Sequence, residues 1–198
     1  MTTGEAKTDY DAIVIGAGVT GIYQTYLLDK EGMSVLGIEG GKDVGGTWYW
    51  NRYPGCRLDT ESYAYGYFAS SGILPDWNWS ETFAGQPELL RYVNAAADAM
   101  DVRRLYRFKT RVTAAHYQQR ENLWRVTLDG REELTCRFLI SATGPLNAAR
   151  MPDIKGIDSF KGEAFHSSRW PLNQDGSPAS IDFTGKRVGI IGTGATGV

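Results

Sequence analysis

Apolar residues change their spacing several times along the chain, and each change marks an element. Asp11-Ala-Ile-Val-Ile15 is a short apolar run that breaks into Gly16-Ala-Gly18-Val-Thr20-Gly21. Residues 22–31 follow helical spacing, Gly32 supplies a stop, and residues 34–38 read as a second strand ending at Glu39. The pattern predicts a β-α-β unit with parallel strands. Residues 40–62 show neither period and are predicted to form one long loop, a kind of segment that usually carries function. Trp48, Tyr49, Trp50 and Tyr53 argue against disorder there. Tyr63, Tyr65 and Tyr67 alternate, as on one face of a strand, and Pro87 opens an alanine-rich amphipathic helix reaching Met100.

From Leu105 the period becomes two. Residues 105–108, 111–117, 123–128 and 134–140 read as successive strands, with Glu121-Asn122 and Asp129-Gly130 as turns. They predict a small antiparallel meander inserted into the nucleotide-binding unit. Residues 138–144 end in Ala-Thr-Gly, small residues that let backbone approach a ligand. Met151-Pro152, Gly156 and Gly162 mark a connector. Residues 186–191 read as a third parallel strand feeding a second glycine loop, Gly192-Thr193-Gly194-Ala195-Thr196-Gly197.

Glycine loops of this form also serve ordinary turns. In the first loop the context adds weight, because a strand precedes it, a helix follows, and an acid lies about 20 residues on. Gly16 permits a tight turn, Gly18 lets backbone N–H groups approach a pyrophosphate, and Gly21 allows close packing, while the helix start favours negative charge. Glu39 would accept hydrogen bonds from ribose hydroxyls and repel a 2′-phosphate. Gly45-Gly46 lets backbone pass close to a planar or phosphate-bearing ligand. Asp59 is open to two readings, a carboxylate held by Arg57 or a simple surface acid.

Composition narrows the class. With 198 residues the chain has length for one large domain or one domain and part of another. Its 42% hydrophobic and 22% charged residues exclude disorder and a coiled coil, and a net charge of -2 gives no field to gather nucleic acid or anionic lipid. The basic residues Arg103, Arg104, Arg107, Lys109 and Arg111 are expected to form a solvated face. No apolar run approaches the ~18 residues of a membrane helix, and no basic region followed by an apolar run opens the chain. The expectation is a soluble cytoplasmic protein. Cys56 and Cys136 form no Cys-x-x-Cys pair, and two histidines, His116 and His166, do not suggest a metal cluster.

Between the glycine loops stands Phe160-x-Gly162-x-x-x-His166-x-x-x-Trp170-Pro171. This stretch matches the fingerprint of the Baeyer–Villiger monooxygenases at each defined position. The segment from Gly45-Gly46-Thr47-Trp48 to Arg57-Leu58-Asp59 also resembles the flavin-binding segment of that family. The resemblance implies an α/β, two-dinucleotide-binding, Rossmann-like flavoprotein. It divides the chain into an FAD-binding part at 8–146 carrying the meander, a linker at 147–185, and the start of an NADP-binding domain at 186–198.

By the same resemblance, Gly16, Gly18, Thr20 and Gly21 would hold the FAD pyrophosphate and Glu39 the adenosine ribose. Thr47, Trp48, Asp59 and Tyr65 would line the flavin, and Val112 would offer backbone to the adenine. Arg57, Leu58 and Asp59 would lie near the nicotinamide end of NADP(H), whose pyrophosphate would meet Gly192, Thr193, Gly194, Ala195, Thr196 and Gly197. Asp59 would act in catalysis by orienting an arginine from a later segment. His166 and Trp170 would form a clasp between the two cofactor domains.

The implied reaction takes NADPH, O2 and a small ketone to an ester or lactone through a peroxyflavin. Alternatives are a nitrogen- or sulfur-oxidising flavin monooxygenase, disfavoured by Trp170-Pro171, and a flavin-binding chain without chemistry. No metal, nucleic-acid or membrane partner and no oligomeric state is implied. Because the last predicted strand and helix lack partners, the chain is expected to be an amino-terminal fragment, poorly folded alone from about residue 180 and a poor catalyst by itself.

Overall fold

The computed structural model describes residues 7–67 and 71–197. Val198, read from sequence as part of a following helix, lies outside them. Strand β1 (Tyr10–Ile15), helix α1 (Val19–Lys30) and strand β2 (Val35–Ile38) form the predicted β-α-β unit. The two strands pair in parallel, from Ala12 beside Val35 to Ile15 beside Ile38. Strand β1 is buried on both faces. Ala12 and Val14 pack with Val35, Leu28 and Met33, whereas Ile13 joins Leu36, Val126 and Cys136. That double burial is why its sequence is a continuous apolar run rather than an alternating one.

The remaining elements are two short helical turns, α2 (Thr47–Trp50) and α3 (Ser62–Tyr65), helix α4 (Gln86–Ala99), and strands β3 (Tyr106–Arg107), β4 (Val112–Gln118), β5 (Leu123–Leu128) and β6 (Glu132–Ser141). Among the described residues the strands make one sheet in the order β3-β2-β1-β6-β5-β4. Helix α4 buries Leu89, Tyr92, Val93, Ala96 and Ala97 in the largest core, together with Ile22, Trp48 and Val102.

Four sequence expectations need correction. The run at 105–108 is not part of the meander: β3 pairs in parallel with β2, Tyr106 beside Gly37. Gly37 makes room for it, since a Cβ there would lie 2.4 Å from the Tyr106 ring. The meander therefore has three strands, and it is not a separate insert. The first half of β6 pairs antiparallel with β5 and its second half parallel with β1, the exchange falling at Cys136.

Tyr63, Tyr65 and Tyr67 do not share a strand face, because the chain turns helically through α3, and among the described residues no strand pairs with this segment. Tyr63 is left 76% exposed, while Tyr65 and Tyr67 turn inward. The long loop at 40–62 contains the helical turn α2, which seats Trp48 in the core.

Residues 186–191 form no strand, and Ile190 and Ile191 are 70% and 72% exposed. An apolar parallel strand needs flanking strands and a covering helix, and among the described residues none pairs with this segment. The second glycine loop nevertheless repeats the local shape of the first. Gly192 has φ +114° where Gly16 has φ +104°. A Cβ on Gly197 would crowd the Gly192 carbonyl, as one on Gly21 would crowd Gly16.

Much of the basic run is neutralised within the fold. Arg103 pairs with Asp43 and Asp98, Arg104 with Asp29 and Asp101, and Arg107 with Glu132. Such exposed pairs contribute little stability, but they leave no contiguous basic face over these three residues. Among the described residues no helix is long and apolar enough to cross a membrane, and no group of three His, Cys, Asp or Glu side chains could hold a metal ion.

Candidate functional site

The carboxyl ends of β1 and β2 and the start of α1 open into a cleft of about 640 Å³. That volume suits a cofactor or drug-sized ligand. Gly16, Gly18, Thr20, Glu39, Thr47, Trp48, Tyr65 and Val112, all singled out from sequence, line this one cleft. So do residues 141–149, which carry the Ala-Thr-Gly segment that directly follows β6.

The glycine loop is built by close backbone contacts. Gly16 donates its N–H to the Ile38 carbonyl at 2.8 Å, closing the β1 end onto β2. Gly21 must lack a side chain, because a Cβ there would lie 1.9 Å from the Gly16 carbonyl oxygen. Gly45 donates to the Ala17 carbonyl at 2.9 Å, and a Cβ on Gly46 would lie 2.6 Å from the Gly18 Cα. The Gly45-Gly46 pair thus approaches the first glycine loop itself, rather than only a ligand as its sequence suggested.

Helix α1 starts directly from this loop. Its N-cap is Gly18, no side chain caps it, and its first turn holds no acid. Its first N–H groups and the positive end of its dipole therefore face the cleft without a protein anion to satisfy them. A phosphate-bearing ligand fits that donor set.

Glu39 closes the far side. It is buried, and its carboxylate accepts from Ala17 N–H at 2.8 Å and Gly41 N–H at 2.6 Å. A carboxylate offers about four lone-pair sites, so two remain for sugar hydroxyls. Trp48 Nε1–H donates to Tyr65 Oη at 2.8 Å, with the rings edge to face. This bond fixes two aromatic side chains on the cleft wall.

Other predicted residues fall elsewhere. Asp59 is exposed and outside the cleft lining, and Arg57 pairs with Glu81 at 3.3 Å rather than holding Asp59. Leu58, the single residue between them, is buried, while Arg57 and Asp59 are both exposed. Asp59 instead lies near Tyr53 and Tyr65, whose hydroxyls are pushed above the usual phenol range by burial first and by this carboxylate in addition. Tyr53 Oη also meets Thr196 Oγ1 at 3.0 Å, which brings the second glycine loop against the aromatic loop.

The fingerprint is packed largely on itself. Phe160 lies against the backbone of Gly162. His166 Nδ1 accepts from Ser168 N–H at 3.2 Å and caps the short turn Ser167–Arg169. Trp170 packs tilted against Phe165 and edge-on to Phe183 and donates to the Ala179 carbonyl at 3.0 Å, and the Pro171 carbonyl accepts from Ala179 N–H. Sequence reasoning missed Trp50, Arg111, Asn147 and Arg169 as cleft residues. Arg169 occupies an undefined position of the fingerprint, so only its charge could have drawn notice. Cys56 and Cys136 are buried free thiols, and burial pushes Cys136 up to about 11.

Residues 14–76 match the family model described as an NAD(P)-binding Rossmann-like domain. The chain is 76% identical over 188 residues, 95% of its length, to the 2-oxo-Delta(3)-4,5,5-trimethylcyclopentenylacetyl-CoA monooxygenase of Pseudomonas putida, covering 34% of that protein. It is 46% identical over its whole length to a Baeyer-Villiger monooxygenase of Pseudooceanicola batsensis, covering 36% of it. A crystal structure of OTEMO in complex with FAD and NADP superposes with a TM-score of 0.92 at 74% identity, over 98% of this chain and 36% of that one. The chain spans about a third of the length of the curated relatives it matches.

Proposed function

We propose, from the premise that this chain is a homologue of the Baeyer–Villiger monooxygenases over the third of their length that it spans, that it holds FAD for an enzyme that uses NADPH and O2 to insert oxygen into a small ketone. The observation that carries this reading is the uncapped start of α1, opening with Glu39 and the Trp48–Tyr65 pair into one cleft. Backbone N–H groups at Gly18, Val19 and Thr20 receive the pyrophosphate, with Gly16 and Gly21 shaping the turn. Glu39 accepts from the adenosine ribose, and Val112 presents its backbone to the adenine. Thr47, Trp48 and Tyr65 border the flavin ring.

FAD, when bound, supplies hydride acceptance from NADPH and activation of O2. The protein's part is to hold, orient and keep water away. Asp59, beside Tyr53 and Tyr65, is the acid proposed to act near the reacting end, with Arg57 and Leu58 bordering the nicotinamide. The loop at 192–197 would receive the NADP pyrophosphate, and its Thr196–Tyr53 contact supports a position facing that same end.

A chimaera tests this reading. The segment of the Pseudomonas putida relative that aligns with this chain is replaced by it, and NADPH consumption and products are followed with a panel of ketones, amines and sulfides. Ester or lactone formation coupled to NADPH use is expected. A flavin-loaded chimaera that oxidises only nitrogen or sulfur, or nothing, would refute it.

A further inference from the structure

Arg169 joins three segments that are far apart in the chain. Its guanidinium lies 5.3 Å from the centre of the Trp50 ring, Nη1 donates to the Ser168 carbonyl at 2.7 Å, and Nη2 donates to the Asn147 carbonyl at 2.7 Å. Trp50, Asn147 and Arg169 all line the cleft. Two further bonds tie the same segments alongside: Asn51 Nδ2 to the Leu146 carbonyl at 3.3 Å, and Arg52 Nη1 to the Gly176 carbonyl at 2.9 Å. Among the described residues no carboxylate pairs with Arg169, so its charge remains uncompensated at the wall of a cleft shaped for an anionic ligand.

The fingerprint supplies the mount for this side chain. His166 caps the turn that contains Arg169, and Trp170, locked by Phe165, Phe183 and the Ala179 carbonyl, fixes the residue after it. The geometry points to Arg169 as a positioning residue of the cofactor cleft. It fastens the segment around 160–180 to the aromatic loop and to the loop after β6, so that FAD binding and docking of the segment reinforce each other. The inference rests on the FAD reading above. Only a planar, forked cation can bond two carbonyls while stacking on an indole, so lysine is not an equivalent. Coupling of this kind is reciprocal: whatever docking adds to FAD affinity, FAD adds to docking.

The test compares the wild-type chain with Arg169→Ala and Arg169→Lys. FAD release is followed by flavin fluorescence, chymotrypsin cleavage at Phe160 and Phe165 is timed with and without FAD, and far-UV circular dichroism checks the fold. Both variants are expected to keep the wild-type spectrum, release FAD roughly tenfold faster and lose most of the protection that FAD gives the segment. If the wild-type chain binds FAD and both variants match it in release and protection, the inference is overturned alone. A folded wild-type chain that takes up no FAD overturns the cofactor reading and this inference with it.

Discussion

The hydroxyl of Tyr106 donates to the carbonyl of Gly16 at 3.1 Å, which braces the first glycine loop from the edge strand β3. Its oxygen also meets Thr25 Oγ1 at 3.0 Å, and Thr25 in turn donates to the Gly21 carbonyl. Both ends of the glycine loop are thus held by one buried pair of hydroxyls. Burial pushes the Tyr106 phenol far above its usual range, so it remains a donor at any working pH.

Tyr106→Phe keeps the ring over Gly37 and removes only the brace. The variant should lose about 1 kcal/mol of stability, the usual worth of a buried neutral hydrogen bond. It should also bind FAD several-fold more weakly. Chemical denaturation and FAD titration together check this, and unchanged affinity would separate the brace from the cofactor.

Gly46→Ala tests the contact between the two loops. The new Cβ would lie 2.6 Å from the Gly18 Cα, at a residue with φ +53°. With ψ −121° this backbone lies outside the left-handed helical well, in a sparsely populated region that costs alanine roughly 1–3 kcal/mol, and the clash adds to it. Lower thermal stability with severe loss of FAD binding is expected. A variant that melts and binds as the wild type does would show that the loops are free to separate.

Acid should loosen the start of the sheet. Asp11 accepts from Ser34 N–H at 2.9 Å and Ser34 Oγ–H at 2.8 Å, and these bonds, with Arg137 nearby, hold its carboxyl below the usual range. A depressed folded pKa means stability that is present above the unfolded value of ~3.9 and lost as pH falls through the folded value. Asp11→Asn should therefore melt below the wild type at neutral pH, with the gap steady down to about pH 5 and closing below about pH 4. Thermal melts across pH measure it. A gap independent of pH would assign the effect to shape instead of charge.

The parts of this fold legible in the sequence are those built from local pattern. The β-α-β unit and the α4 helix follow from period and glycine position, as do Gly16, Gly18 and Glu39 in the cleft; Thr20, Thr47, Trp48, Tyr65 and Val112 come through the family resemblance. What was not legible depends on distant neighbours. Tyr106 reads as meander until Gly37 is seen to accept its ring, and β6 reads as one strand of the meander although it pairs antiparallel with β5 and parallel with β1 in the same sheet. Residues 186–191 carry a strand's composition, but composition cannot supply the neighbours a strand needs. The pairing of Asp59 with Arg57 fails for a related reason, since Glu81, 24 positions from Arg57, competes for that guanidinium.

The central claim is that the cleft at the first glycine loop holds FAD. Equilibrium dialysis of the 198-residue chain against FAD, with circular dichroism confirming its helices and sheet, tests it most directly. The account predicts one FAD per chain, with flavin absorbance retained after dialysis and lost in Gly46→Ala. A chain with a folded spectrum that retains no flavin would contradict it.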